Sequence, residues 1–113
     1  MQTDIDRHSD TIAVIRVQGR LDFLSAADAK ETITSLVSAG TNNLVIDLTS
    51  TEFIDSSGLG SLIGGLKAAR QAGGDLRIAN PSDQVRSVLR LTSLDRVFQS
   101  HPTVDDALSA FER

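Results

Sequence analysis

The run Leu44-Val45-Ile46-Asp47-Leu48 constrains this chain most. It is apolar almost throughout and does not alternate, the pattern of a strand buried inside a sheet that helices cover. A helical period then takes over, with Leu59, Leu62, Ile63 and Leu66 recurring at the spacing of one helix face. A buried strand followed by an amphipathic helix calls for layers of helix on sheet. The 113-residue chain has length for one such core and not for two. Its aromatic complement of four Phe, with no Tyr or Trp, leaves that core to Leu, Val, Ile and Ala, which suits layered α/β packing.

The rest of the chain reads the same way. Ile5 to Arg7 and Thr11 to Gln18 predict two strands joined by a tight His8-Ser9-Asp10 connection, and Gly19 ends the second. Ser25 followed by Asp28 makes a capping-box variant for a first helix, whose face is Ala26, Ala29, Ile33, Leu36 and Val37, up to Gly40. The second helix is predicted from about Ser57 to Gln71, stopped by Gly73-Gly74, and Leu76 to Ala79 is a short strand. Pro81-Ser82 opens a third helix with Val85, Val88 and Leu89 inward, and Leu94, Val97 and Phe98 read as a brief extended segment. Thr103 with Asp106 caps a last helix whose stripe is Val104, Ala107, Leu108 and Phe111. The fold class is therefore α/β: a mixed sheet that begins with an N-terminal hairpin and continues in βα units, with about four helices. No linker or repeat breaks it, so residues 1–113 read as one domain.

Composition and motif search remove several function classes. The absence of cysteine excludes disulfide scaffolds, thiol catalysis and cysteine-ligated zinc. A net charge of -4 argues against a partner that is mainly nucleic-acid backbone or anionic lipid. The acidic, polar start Met1-Gln2-Thr3-Asp4-Ile5-Asp6 is unlike a secretory signal, and no apolar run reaches membrane-spanning length, so a cytoplasmic location without membrane insertion is expected. His8 and His101, both predicted exposed, are the only candidate imidazole bases, and no G-x-S-x-G elbow is present. Gly58-x-Gly60 is followed by Ile63 where a dinucleotide fingerprint needs glycine, no GxxxxGK[ST] occurs, and the carboxylates form no metal constellation. Neither an enzyme nor a bound cofactor or metal is expected.

What remains is Asp55-Ser56-Ser57-Gly58-Leu59-Gly60, at the predicted start of the second helix. The unpaired N–H groups and positive dipole end of a first turn tolerate a phosphate, so a hydroxyl there suits a phosphorylation switch, although Asp and Ser at such a place are also plain N-caps. Gly58, Gly60, Gly64 and Gly65 fall inside this helix, each costing on the order of 0.8–1 kcal/mol relative to Ala, so small size is needed there. Projection at 100° per residue puts Ser57, Ser61, Gly64, Gly65 and Ala68 opposite the Leu stripe. Such a strip is either a docking surface or a close contact with a neighbouring helix. Asp22, where the second strand leads into the first helix, shares the Ser56 end of the sheet with Asp55 if the βα connections lie together, and locally it also reads as a turn residue.

These segments resemble the STAS-domain anti-sigma-factor antagonists of bacteria. The likeness runs through Gly19-Arg20-Leu21-Asp22, Leu44 to Leu48, Phe53-Ile54-Asp55-Ser56-Ser57-Gly58-Leu59-Gly60, Gly73-Gly74-Asp75-Leu76-Arg77, Val85 to Leu89 and Leu94 to Phe98. The resemblance implies that Ser56 is phosphorylated by an anti-sigma factor that is itself a serine kinase, and that Ser57 is its unmodified neighbour. It further implies partner switching: the unphosphorylated chain binds the anti-sigma factor and releases a sigma factor, and a serine phosphatase resets the phosphorylated form. Partner-facing residues on this reading are Asp22, Asp55, Ser56, Ser57, Gly58 and Gly60, joined by Ser61, Gly64, Gly65 and Ala68 if the small-residue strip found by projection is the docking surface, on a chain that is a monomer when free. Arg20 departs from the pattern, because many antagonists carry an acidic residue there. The alternative within the same fold is a non-enzymatic STAS subunit of a lipid-transport ATPase or a sensory complex.

Overall fold

A computed structural model describes residues 1–112. Strands β1 (Gln2–Arg7) and β2 (Ile12–Leu21) form the antiparallel hairpin, and α1 (Ala26–Ser38) leads to β3 (Asn43–Asp47). A short β4 (Thr51–Ile54) precedes α2 (Ser56–Gln71), followed by β5 (Asp75–Ala79), α3 (Asp83–Leu91), β6 (Gln99–His101) and α4 (Val104–Phe111). The sheet order is β1-β2-β3-β5-β6, parallel beyond the hairpin, with β4 pairing the far end of β2.

The non-alternating run behaves as expected, since Leu44, Val45 and Ile46 are fully buried. Ile15, Leu21, Ile46 and Ile78 on one face of the sheet join Ile33 of α1 and Leu62 and Leu66 of α2 in the main core. The opposite face carries Val14, Val45 and Ala79, covered by Ala107 of α4. Thr103 caps α4 through Asp106 N (3.1 Å), and Ser82 accepts from Val85 N (3.4 Å) at the start of α3.

Five local readings are corrected. Gly19 does not end the second strand, because β2 runs on through its positive φ to Leu21 and pairs there with β4. The sheet gains β4, absent from the sequence reading: Glu52 and Phe53 interrupt its apolar signal, and it is held by Thr51 Oγ1 donating to Val17 O (2.8 Å) and Gly19 N donating to Ser50 O (3.0 Å). Leu94 to Phe98 is not extended. A 3-10 turn at Leu94–Arg96, entered through Ser93 at φ 60°, folds Phe98 back so that its N–H reaches Leu94 O (3.1 Å) and its ring enters the core. Ser25 occupies the N-cap of α1 but makes no cap hydrogen bond, because its hydroxyl serves the β2–α1 turn instead. His101, predicted exposed, is half-buried.

Candidate partner-docking site

The first turn of α2 is fixed by Asp55. Its Oδ1 accepts from Gly58 N (2.9 Å), the expected cap, and its Oδ2 accepts from Phe23 N (3.2 Å) on the β2–α1 loop. One carboxylate thus ties the start of α2 to the loop that precedes α1. Its own N–H donates to Leu21 O (3.3 Å). Gln84 of α3 clamps the preceding residue, accepting from Ile54 N (3.0 Å) and donating to Ile54 O (3.3 Å), which occupies both main-chain groups of that β4 residue. Nothing in the sequence pattern pointed to Gln84, because a side-chain amide taking the place of a neighbouring strand leaves no periodicity. Replacing Asp55 with Ala removes both anchors; a loss of about 1–2 kcal/mol is expected, measurable by urea unfolding.

Ser56 and Ser57, just after this anchor, are exposed, and their side chains make no hydrogen bond among the described residues. Asp22 lies across the loop as the sequence anticipated. Its Oδ1 accepts from Leu24 N (3.1 Å) and Ser25 Oγ (3.4 Å), so the carboxylate also shapes the turn. Asp22, Asp55 and Ser56 therefore share one end of the sheet.

The small-residue strip does not face outward as a unit. Gly58, Ser61 and Gly65, expected among the partner-facing residues, are buried. Gly58 lies against the Leu21 carbonyl, Ser61 Oγ donates to Gly58 O (2.6 Å), and a Cβ on Gly65 would come within 2.7 Å of Ile33 Cγ2 on α1. Gly64 is covered by the Lys30 stem, whose Cε would be 3.0 Å from a Cβ there, and Ala68 is half-buried. The physical reason is that α2 is packed on two sides, by the sheet and by α1, so the face opposite the Leu stripe is mostly an interhelical contact. Gly60 alone of the four glycines is fully open, with nothing within 4 Å of a Cβ.

The exposed face beside Ser56 is instead completed by residues that periodicity could not single out. Phe23 and Leu24 are 71% and 77% exposed, adjacent in the loop that Asp55 and Asp22 hold. Two large apolar side chains held in solvent by polar anchors form a lip suited to a protein surface.

A family model for the STAS domain matches residues 4–107. The chain is 31% identical over 85 residues to the anti-sigma-B factor antagonist of Staphylococcus aureus, covering 75% of this chain and 79% of that one. An anti-sigma factor antagonist from Mycobacterium paratuberculosis, also 31% identical, superposes with a TM-score of 0.87 over 99% of this chain and 94% of its own. This chain belongs to the STAS-domain anti-sigma-factor antagonists. SpoIIAA of Bacillus shares the fold at lower identity. Its unphosphorylated form gives 22% identity and a TM-score of 0.84 over 96% of this chain and 95% of its own, and its phosphorylated form gives 21% and 0.76 over 96% and 98%. Among the described residues of this antagonist, no helix is long and apolar enough to cross a membrane.

Proposed function

We propose that this antagonist is a partner-switching protein that docks an anti-sigma factor through the Ser56 end of the sheet and is released by phosphorylation of Ser56. The observation that carries this reading is the placement of an exposed serine at the first turn of α2, beside an exposed Phe23–Leu24 lip and on a scaffold anchored by Asp55. Its partner-facing residues are Ser56, Ser57 and Gly60, with Phe23, Leu24, Asp22 and the rim of Asp55; Gly64 and Ala68 stand at its edge. Docking the lip removes apolar area from water. A phosphoserine at Ser56 brings about -1.5 to -2 charges to the same patch, which the start of α2 accommodates and an apolar docked surface does not.

On this reading the chain catalyses nothing. The anti-sigma factor acts as the serine kinase, a serine phosphatase resets the switch, and the free antagonist is a monomer with no direct nucleic-acid contact. The curated relative and the Mycobacterium structure are both named as antagonists, which favours this role over a subunit of a transport or sensory assembly.

The lip supplies the test. Phe23→Ser with Leu24→Ser should weaken binding to a candidate anti-sigma factor from the same genome by about 30-fold or more, the scale of a lost hot spot. The thermal midpoint should stay unchanged, because neither side chain is in the core. Unchanged binding by calorimetric titration would reject this docking face.

A further inference from the structure

Arg20 stands on β2 just beyond an irregularity that the rest of the strand lacks. The register of β2 against β4 shifts between Gly19 and Arg20, with Gly19 at φ +92°. The extra residue is Glu52 of β4, left unpaired between Thr51 and Phe53, so the bulge lies on β4 and brings Phe53 directly opposite Arg20. The guanidinium comes to rest 4.1 Å over the ring of Phe53, its partner across the strands, and its Nε lies 3.5 Å from Asp22 Oδ2.

Only one of its donors is engaged. Among the described residues no acceptor meets the two terminal nitrogens, and the side chain is 59% exposed. A single exposed ion pair at this distance is worth little to the fold. The Phe53 ring and the Asp22 contact instead keep the planar fork in one orientation, so less side-chain freedom is lost when an acceptor arrives. The terminal edge of such a fork matches a carboxylate in bidentate geometry.

The position places this fork inside the docking face. Arg20 precedes Phe23 by three residues, which run from the end of β2 into the turn and so span at most about 10 Å, and Phe53, opposite Arg20, precedes Ser56 by the same number. A typical interface of about 800 Å² per partner is roughly 30 Å across and spans both. We infer that Arg20 is a specificity-determining contact of this antagonist, held ready by Phe53 and Asp22 to take an Asp or Glu carboxylate of the docked anti-sigma factor. The inference rests on the docking face proposed above. A partner that presents a basic side chain opposite this position meets a like charge and is rejected.

The test uses the full chain and the anti-sigma factor it binds. Arg20→Gln should lower affinity by about 10-fold or more, Arg20→Glu further, and Arg20→Lys in part, because a lysine lacks the fork. Arg20→Gln should melt with the wild type, which separates a lost contact from a lost fold. Replacing the facing partner carboxylate with lysine should recover binding to Arg20→Glu. If the wild type binds and the well-folded Arg20→Gln binds equally or more tightly, the inference is wrong while the docking face stands. If the wild type does not bind at all, the functional reading itself fails and this contact with it. An effect of Arg20→Gln confined to the phosphorylated chain would mean that the guanidinium serves the phosphate on Ser56, and would also overturn it.

Discussion

Gly58→Ala is expected to destabilise the antagonist by about 2–3 kcal/mol, and Gly60→Ala, two residues on, to stabilise it by up to about 1 kcal/mol. Intrinsic propensity favours Ala over Gly at both sites, so contacts must decide the sign. At Gly58 an added Cβ would overlap the Leu21 carbonyl oxygen and come within 2.9 Å of Ile54 Cγ1. The first of these is main chain in a paired strand, which cannot turn aside as a side chain can. Relief requires α2 to retreat from β2, loosening Asp55 and the core around Leu59 and Leu62. Gly60 has open space and ordinary backbone geometry, so only the propensity gain remains. Urea unfolding of the two variants beside the wild type reads both signs. Equal stability of Gly58→Ala and wild type would show that α2 does not need this approach.

Ser56→Ala should abolish phosphate incorporation by the cognate kinase while leaving partner binding and the melting curve nearly unchanged. The stability expectation follows from exposure and from a hydroxyl that bonds to nothing among the described residues. Ser57→Ala should still accept one phosphate, though more slowly if the kinase contacts that hydroxyl. Intact-mass measurement after incubation with ATP and the kinase distinguishes them. A full phosphate on Ser56→Ala, mapped to Ser57, would move the switch by one residue. Because both serines lie in the first turn, that outcome would preserve the electrostatic argument and change only the acceptor.

Much of this was legible in the chain itself, for reasons that differ by element. The run at Leu44 to Leu48 signalled a central strand because burial on both faces suppresses alternation, and Thr103 and Ser82 signalled helix starts because caps are local chemistry. β4 was not legible. Four residues with Glu52 and Phe53 in the middle carry no period, and the strand exists because β2 continues far enough to pair with it. At the site, Asp22, Asp55 and Ser56 could be placed together from the order of βα connections alone. The orientation of α2 could not, because projection of one helix finds its apolar stripe and cannot say that a second neighbour, α1, covers Gly64 and Gly65 with Lys30 and Ile33. Phe23 and Leu24 escaped for the converse reason: large apolar residues beside a turn read as unremarkable until the fold leaves them in solvent.

On the proposed function, charge at Ser56 governs docking without altering the fold. The most direct measurement prepares the antagonist in its Ser56-phosphorylated and unphosphorylated forms and titrates each against the anti-sigma factor at fixed ionic strength, with far-UV circular dichroism and thermal melts on the same samples. Matching spectra, closely similar melts, and binding weaker by about 100-fold or more in the phosphorylated form are expected, the scale of a like charge or unpaired anion forced into an interface. Equal affinity of the two forms, or a loss of helicity that accompanies the phosphate, would contradict the proposed function.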